Sequence, residues 1–303
     1  MTASDPFALP FTGERFTPEC VREIWYEHWH RYAFARRLIQ GKRVLDCACG
    51  EGYGSALLCD GAAEVVGVDI DEASIAHARE RYGARANLRY EKADATALDF
   101  PDASFDVVVC FETLEHVEKQ AEMLAGFARV LTDDGILIVS SPDKHQYSEV
   151  AGFKNEFHVR ELYRDELLEL LKPHFPAVRL YGQKLVFNSA IVALDAQPGA
   201  VEAWTADREA RSIAPKLDVA PMYFIARCAK RMLPERSAAL SLFGDREESV
   251  YTHYNHEVRK NIDAGHRIAE LEAELERLRA DASTPAESAP PKSSWWRRSR
   301  SSE

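Results

Sequence analysis

Cysteine is scarce, with six among 303 residues. Cys47 and Cys49 form the one close pair, so the chain offers neither a disulfide framework nor a Cys-x-x-Cys zinc knuckle. Long hydrophobic runs are missing too: no stretch approaches the ~18 apolar residues that a membrane-spanning helix needs. Met1 to Phe16 shows no basic segment followed by an apolar one, so no secretory leader is expected. These absences point to a reducing cytoplasm. Basic residues are outnumbered, 38 against 49 acidic, which leaves a net charge of −11. Such a surface repels phosphate backbones, and nucleic acid is not expected as a partner. What is present, 46% hydrophobic and 29% charged residues, is the balance of a soluble globular protein, and the length suggests about two domains.

From Arg43 onward, apolar β-rich runs alternate with helical stretches, the pattern of a βαβ array around a parallel sheet. Strands are expected near 43–48, 64–69, 87–92, 105–111 and 135–141, with helices near 53–60, 72–82 and 117–131. Val107 to Phe111 and Ile136 to Val139 are apolar at every position, as strands buried on both faces are. A helix near 163–172, a strand near 177–185 and a last strand near 222–229 follow. The expected organisation is an N-terminal helical segment over 1–40 and a main domain over 41–232 that carries an insertion at 186–220. A connector over 233–255, a helix over 256–281 and a disordered tail over 282–303 complete it. In the helix, Ile268, Leu271, Leu275 and Leu278 step as the a and d positions of heptads, with Arg267 and Glu274 at g and Glu272 and Arg279 at e. Two readings stay open there: one amphipathic helix lying on its own domain, or a short coiled coil pairing two copies. In the tail, Lys292, Arg297, Arg298 and Arg300 surround Trp295 and Trp296, a composition suited to weak contact with an anionic membrane face.

The sharpest chemical signal is Asp46-Cys47-Ala48-Cys49-Gly50-Glu51-Gly52-Tyr53-Gly54, a strand entering a glycine-rich turn and then a helix. Glycines let a backbone pass close to a ligand, and the helix start supplies free N–H groups. Asp46 would repel a pyrophosphate but suits the ammonium and sulfonium ends of S-adenosylmethionine. A second strand ends in Asp69, placed to take a ribose diol, followed by Ile70 and then Asp71, which reads as the cap of the next helix. After the third strand, Asp94 and Ala95 stand where an adenine amino group would be accepted. A simple turn is the alternative there.

These segments, together with Phe105 to Val117 and Val130 to Leu137, resemble the class I S-adenosylmethionine-dependent methyltransferases in order and spacing over about residues 41–230. The resemblance implies a doubly wound, Rossmann-like α/β fold whose seven-stranded sheet has its last strand antiparallel. It also implies S-adenosylmethionine as cofactor, held by Asp46, Ala48, Gly50, Gly52, Asp69, Ile70, Asp94, Ala95, Phe111 and Glu112, with Tyr26 added from the N-terminal segment. Phe11 to Pro18, Tyr26 to His30 and Asn155 to Leu162 are similar to bacterial methyltransferases associated with surface-glycan and O-antigen synthesis. From that likeness the expected acceptor is a sugar hydroxyl or a lipid- or nucleotide-linked precursor, with a glycosyltransferase as a possible partner. A small phenol, quinone or lipid-like metabolite is the alternative, and a scaffolding protein in a glycan-assembly complex is a third reading. Arg15 could clamp an anionic group, and His30 shares a helix face with Tyr26. For Trp25, Trp29 and Phe34 the alternative is an aromatic staple that packs an N-terminal helix on the core. A hydroxyl acceptor calls for a base, and His158, then His116, then His145 are the candidates. Glu112, Glu115 and His116 resemble the Glu-x-x-Glu-His of quinone-pathway enzymes that can hold a divalent ion, but no metal is expected.

Overall fold

The computed structural model describes residues 17, 23–152, 154–191, 201–207, 211–233 and 239–283. Helix α1 (Glu23–Arg36) leads into strand β1 (Arg43–Cys47), helix α2 (Tyr53–Leu58), strand β2 (Glu64–Asp69), helix α3 (Glu72–Tyr82) and strand β3 (Leu88–Lys92). Strand β4 (Phe105–Cys110), helix α4 (Gln120–Val130) and strand β5 (Leu131–Pro142) follow, then helix α5 (Arg164–Leu171) and strand β6 (Ala177–Gln183). The last strand of the sheet is β9 (Tyr223–Ala229). Between it and β6, strands β7 (Thr205–Ala206) and β8 (Ile213–Ala214) pair only with each other, inside the stretch expected to be an insertion.

The sheet order is β3-β2-β1-β4-β5-β9-β6, and β9 runs antiparallel to both its neighbours. Seven strands with the last one antiparallel were expected, and they are found. The inner strands separate two apolar layers. Val44, Val65, Val107, Val109, Ile136 and Ile138 face one, together with Tyr32, Ala35 and Ile39 at and beyond α1. Leu45, Cys47, Val66, Val108, Leu137 and Val139 face the other, under α4 and α5. Alternation along buried strands produces both layers from continuous apolar runs. Trp25, Trp29 and Phe34 are partly buried and pack against the first layer, which favours the alternative reading of them as an aromatic staple. Asp71 caps α3 by accepting from the Ala73 and Ser74 N–H groups.

The chain divides into two compact units, Met1–Arg246 and Glu247–Glu303. The second contains helix α6 (Ser249–Ser283), which corrects the expected start at 256. Tyr251, Thr252 and Tyr254 are weak helix formers and hid the first turns from a periodicity reading. Ile268, Leu271, Leu275 and Leu278 are exposed. The basic and aromatic cluster of the tail lies outside the described residues, and no helix among them is long and apolar enough to cross a membrane.

Candidate functional site

The turn after β1 is built from left-handed backbone, at Ala48 (φ 58°), Gly50 (φ 56°) and Gly52 (φ 93°). Gly52 is confined as well as turned: a Cβ there would lie 2.7 Å from the Ala78 Cβ and 2.9 Å from the Tyr90 ring, and the Tyr90 hydroxyl donates to its carbonyl at 2.6 Å. Asp69, at the end of β2, ties this turn to the next strand. Its two oxygens accept from the Gly50 N–H and the Asp71 N–H, each at 2.9 Å. A carboxylate has further lone pairs beyond those two, so Asp69 can still accept from a diol. Ile70 beside it is exposed. Asp94 is exposed and Ala95 half-buried, and Asp94 accepts from the Thr96 N–H and hydroxyl at 2.8 Å. Asp94 thus stands in a turn that engages one of its carboxylate oxygens.

Asp46 sits behind the turn with no exposed surface. It accepts from the Ser55 hydroxyl at 2.6 Å and from the Tyr32 hydroxyl at 3.2 Å. Burial pushes its carboxyl up to about 7, against the opposing pull of those two hydroxyls. Between the ordinary carboxylate range and about 7 the folded chain holds a proton that the unfolded chain has released, so stability present in acid is lost as pH climbs from about 4 toward 7. Urea denaturation of the ligand-free Asp46→Asn variant is expected to show a flatter decline over that window. An unchanged decline would show that Asp46 is not its source.

Sequence reading passed over Glu51. It is buried and meets His77 Nε2 at 2.8 Å and the Tyr82 hydroxyl at 3.0 Å, and so fastens the turn to α3. It also passed over a cluster on α1. Arg31, 1% exposed, reaches Glu112 at 3.5 Å and donates from Nε to Gln183 Oε1 at 2.8 Å. Its guanidinium lies 4.4 Å above the Tyr223 ring. Neither Nη atom has a hydrogen-bond partner among the described residues. Gln183 also donates to the Glu27 carbonyl at 2.8 Å, which clamps α1 to the end of β6. Glu112 follows β4 in left-handed backbone (φ 48°) and accepts from the Ser140 hydroxyl at 2.6 Å. Phe111 before it is buried against Tyr32.

Beside this cluster opens a cavity of about 560 Å³, lined by Ile24, Glu27, Tyr147, Phe187, Met222 and Tyr223 among others. A smaller one of about 110 Å³ takes Tyr26 and His30 in its wall, where His30 Nε2 meets the Ser241 hydroxyl at 2.9 Å and stacks on Phe243. Arg15 lies outside the described residues. His158 is held on both ring nitrogens, by Glu161 at 2.6 Å and Asn155 at 2.9 Å. His116 packs edge-on against it at 4.8 Å and meets the Phe157 carbonyl at 3.0 Å. His145 is exposed and paired with Glu149 at 2.9 Å. One ligand atom each from Glu115, His116 and His158 lies within 4.8 Å of the others, a trio different from the Glu112, Glu115 and His116 spaced along the sequence.

Residues 45–139, from β1 to β5, match the family model described as "Methyltransferase domain". Over 170 residues the chain is 41% identical to a Mycolicibacterium smegmatis protein named "Probable S-adenosylmethionine-dependent methyltransferase", covering 55% of this chain and 65% of that one. A Mycobacterium tuberculosis protein of the same name is 38% identical over 173 residues, 56% of this chain and 62% of that one. A "Ubiquinone biosynthesis O-methyltransferase" from Hahella chejuensis is 36% identical over 116 residues, 37% of this chain and 48% of that one. The chain thus spans just under two thirds of the length of the first two of these curated relatives, and what it shares with the methyltransferase-domain model is the β1 to β5 part of the sheet, which carries the glycine turn and Asp69.

Proposed function

We propose that this chain is an S-adenosylmethionine-dependent methyltransferase that acts on an oxygen. The observation that carries the reading is the left-handed turn at Ala48, Gly50 and Gly52, tied through Asp69 to the end of β2 inside the stretch that matches a methyltransferase domain. The donor set fits the cofactor: carboxylates at the mouths of β2 and β3, open backbone between them and a further carboxylate after β4. Asp69 takes the ribose diol, Asp94 the adenine amino group, and Ile70 and Ala95 flank the ring. The turn at Ala48 to Gly52, with Asp46 behind it, holds the amino-acid end, and Phe111 and Glu112 close the site. When bound, the cofactor supplies a methyl group on a positively charged sulfur. The residues contribute mainly alignment, since an oriented acceptor removes much of the entropic barrier.

Asp69→Ala is expected to weaken S-adenosylmethionine binding by roughly 10- to 100-fold, the loss of a charge-assisted acceptor worth about 1.5–3 kcal/mol. Isothermal titration reads this directly, and unchanged affinity would remove Asp69 from the ribose.

For the acceptor, the aromatic and acidic lining of the larger cavity suits a ring that bears a hydroxyl, either a sugar of a surface glycan or its precursor or a small phenolic metabolite. Relatives named for ubiquinone biosynthesis support the second source, and the N-terminal motif supports the first. A radiolabelled methyl-transfer screen across lipid-linked glycans, nucleotide sugars and phenols decides between them. Pairing of two copies through α6 belongs to the same proposal. In a parallel pair Arg267 faces Glu272 and Glu274 faces Arg279 across the seam, which would bring two copies of the tail together.

A further inference from the structure

We propose that the cavity between α1 and the start of β9 is the acceptor site, and that Glu27 takes the proton from the acceptor hydroxyl there. This deepens the methyltransferase reading and rests on it. Glu27 lines the cavity with Tyr147, Phe187 and Tyr223, and the volume of about 560 Å³ suits one or two rings. Tyr223 pairs with Pro142, the last residue of β5, so the cavity lies at the sheet edge where β4 and β5 end and where Glu112 stands. Its aromatic members offer faces for a ring.

None of the three histidines matches Glu27 for the proton-accepting role. His158 has both ring nitrogens engaged, and the others are held by Phe157 and Glu149. Glu27 is surrounded by opposing influences. Arg31, one helical turn along, and the Tyr223 hydroxyl favour its charged form, while Glu23 on the same helix and Glu112 after β4 disfavour it. Lys184 beyond β6 and Tyr147 complete the set that shares the cavity. Burial is the largest influence and pushes the carboxyl up to about 7, which is where a base works best near neutral pH. In the step itself the acceptor O–H bond breaks and its proton passes to the Glu27 carboxylate. The oxygen lone pair forms the bond to the methyl carbon of S-adenosylmethionine, and the electron pair of the broken C–S bond stays on sulfur, which becomes neutral. Arg31, through Glu112 and Tyr223, is a positioning residue.

The test uses the full chain, with S-adenosylhomocysteine as probe of the cofactor site and phenol and methyl glucoside as ring-hydroxyl probes. Carbon-13 glutamate labelling, with the Glu27 signal assigned by its loss in Glu27→Gln, is expected to give a titration midpoint at roughly pH 6–8 that one of the two ring probes moves. Movement by phenol alone assigns a phenolic source, and movement by the glucoside alone a sugar. A midpoint in the ordinary carboxylate range, or one that neither probe moves, overturns the proposal. In turnover with the probe that accepts methyl, Glu27→Gln is expected to lower kcat on the order of 10²-fold. The acid limb of the pH profile should vanish, the KM for S-adenosylmethionine should stay unchanged, and Glu27→Asp should restore part of the rate. Wild-type kcat in Glu27→Gln overturns the proposal equally. A wild-type chain that fails to bind S-adenosylhomocysteine by calorimetry overturns the methyltransferase reading itself, a result separate from the Glu27 titration.

Discussion

Arg31→Ala is expected to destabilise the main unit by about 3–5 kcal/mol, the usual cost of removing one partner from a buried ion pair. The side chain is essentially sealed, and its removal strands Glu112 and Glu27 together without the cation that lies between them in effect. The Gln183 oxygen loses its donor at the same time, which loosens α1 from β6. Thermal denaturation should register a fall of about 10 °C, since each kcal/mol shifts the midpoint by roughly 2–4 °C in a domain of this size. Adding Glu112→Gln should recover part of the loss, because residues that share one network do not act additively. A loss under about 1 kcal/mol, the range of an exposed pair, would show that the ion pair is solvated and that α1 is held by its aromatic residues alone.

Gly54→Ala is expected to be nearly as damaging although it adds a single methyl group. A Cβ at that position would sit 2.0–2.4 Å from three atoms of the Tyr32 ring, and that ring is boxed in by Tyr53 and Phe111 at 5.2 and 5.1 Å. Overpacking of a filled core costs typically 1–3 kcal/mol and occasionally more, and here the displaced ring also carries a hydroxyl bonded to Asp46. The variant should therefore lose both stability and affinity for S-adenosylmethionine. Tyr32→Leu placed in the Gly54→Ala background should return some of the stability. Urea denaturation of the wild type and the two variants checks this, and a wild-type midpoint in Gly54→Ala would mean that α2 shifts freely over α1.

Strands β1, β2, β4 and β5 were readable because burial on both faces leaves apolar runs with little ambiguity, as at Val107 to Cys110. The glycine turn was readable because left-handed backbone demands particular residues. Glu27 and Arg31 were not. They are spaced like an ordinary solvent-facing pair on a helix, and only the docking of α1 against Gln183 and Tyr223, more than 150 positions away, turns that pair into a buried one. His30 was legible as a polar tip beside Tyr26, but its partner Ser241 lies 211 residues along the chain, beyond what any local pattern reports. The three histidines were ranked by their place at or after strand ends, with His158 first because it precedes a helix, and sequence cannot show that its ring is already held on both nitrogens.

The place of β9 in the sheet has a consequence for how the protein is made. This strand is the last of the sheet to leave the ribosome, yet it lies between β5 and β6 rather than at an edge. Until residue 229 has emerged, β5 presents an unpaired strand edge and β6 lacks its one neighbour in the sheet, the kind of surface that seeks other chains. Closing that gap requires contacts across some 90 residues of sequence, which slows folding relative to local pairing. Tyr223, the first residue of the late strand, also forms part of the cavity wall next to Glu27. A nascent chain can therefore have its glycine turn and Asp69 in place while the wall opposite Glu27 is still missing. The glycine turn with Asp69 can thus be complete before the cavity that Tyr223 closes, and the two are joined only when synthesis of the sheet is complete.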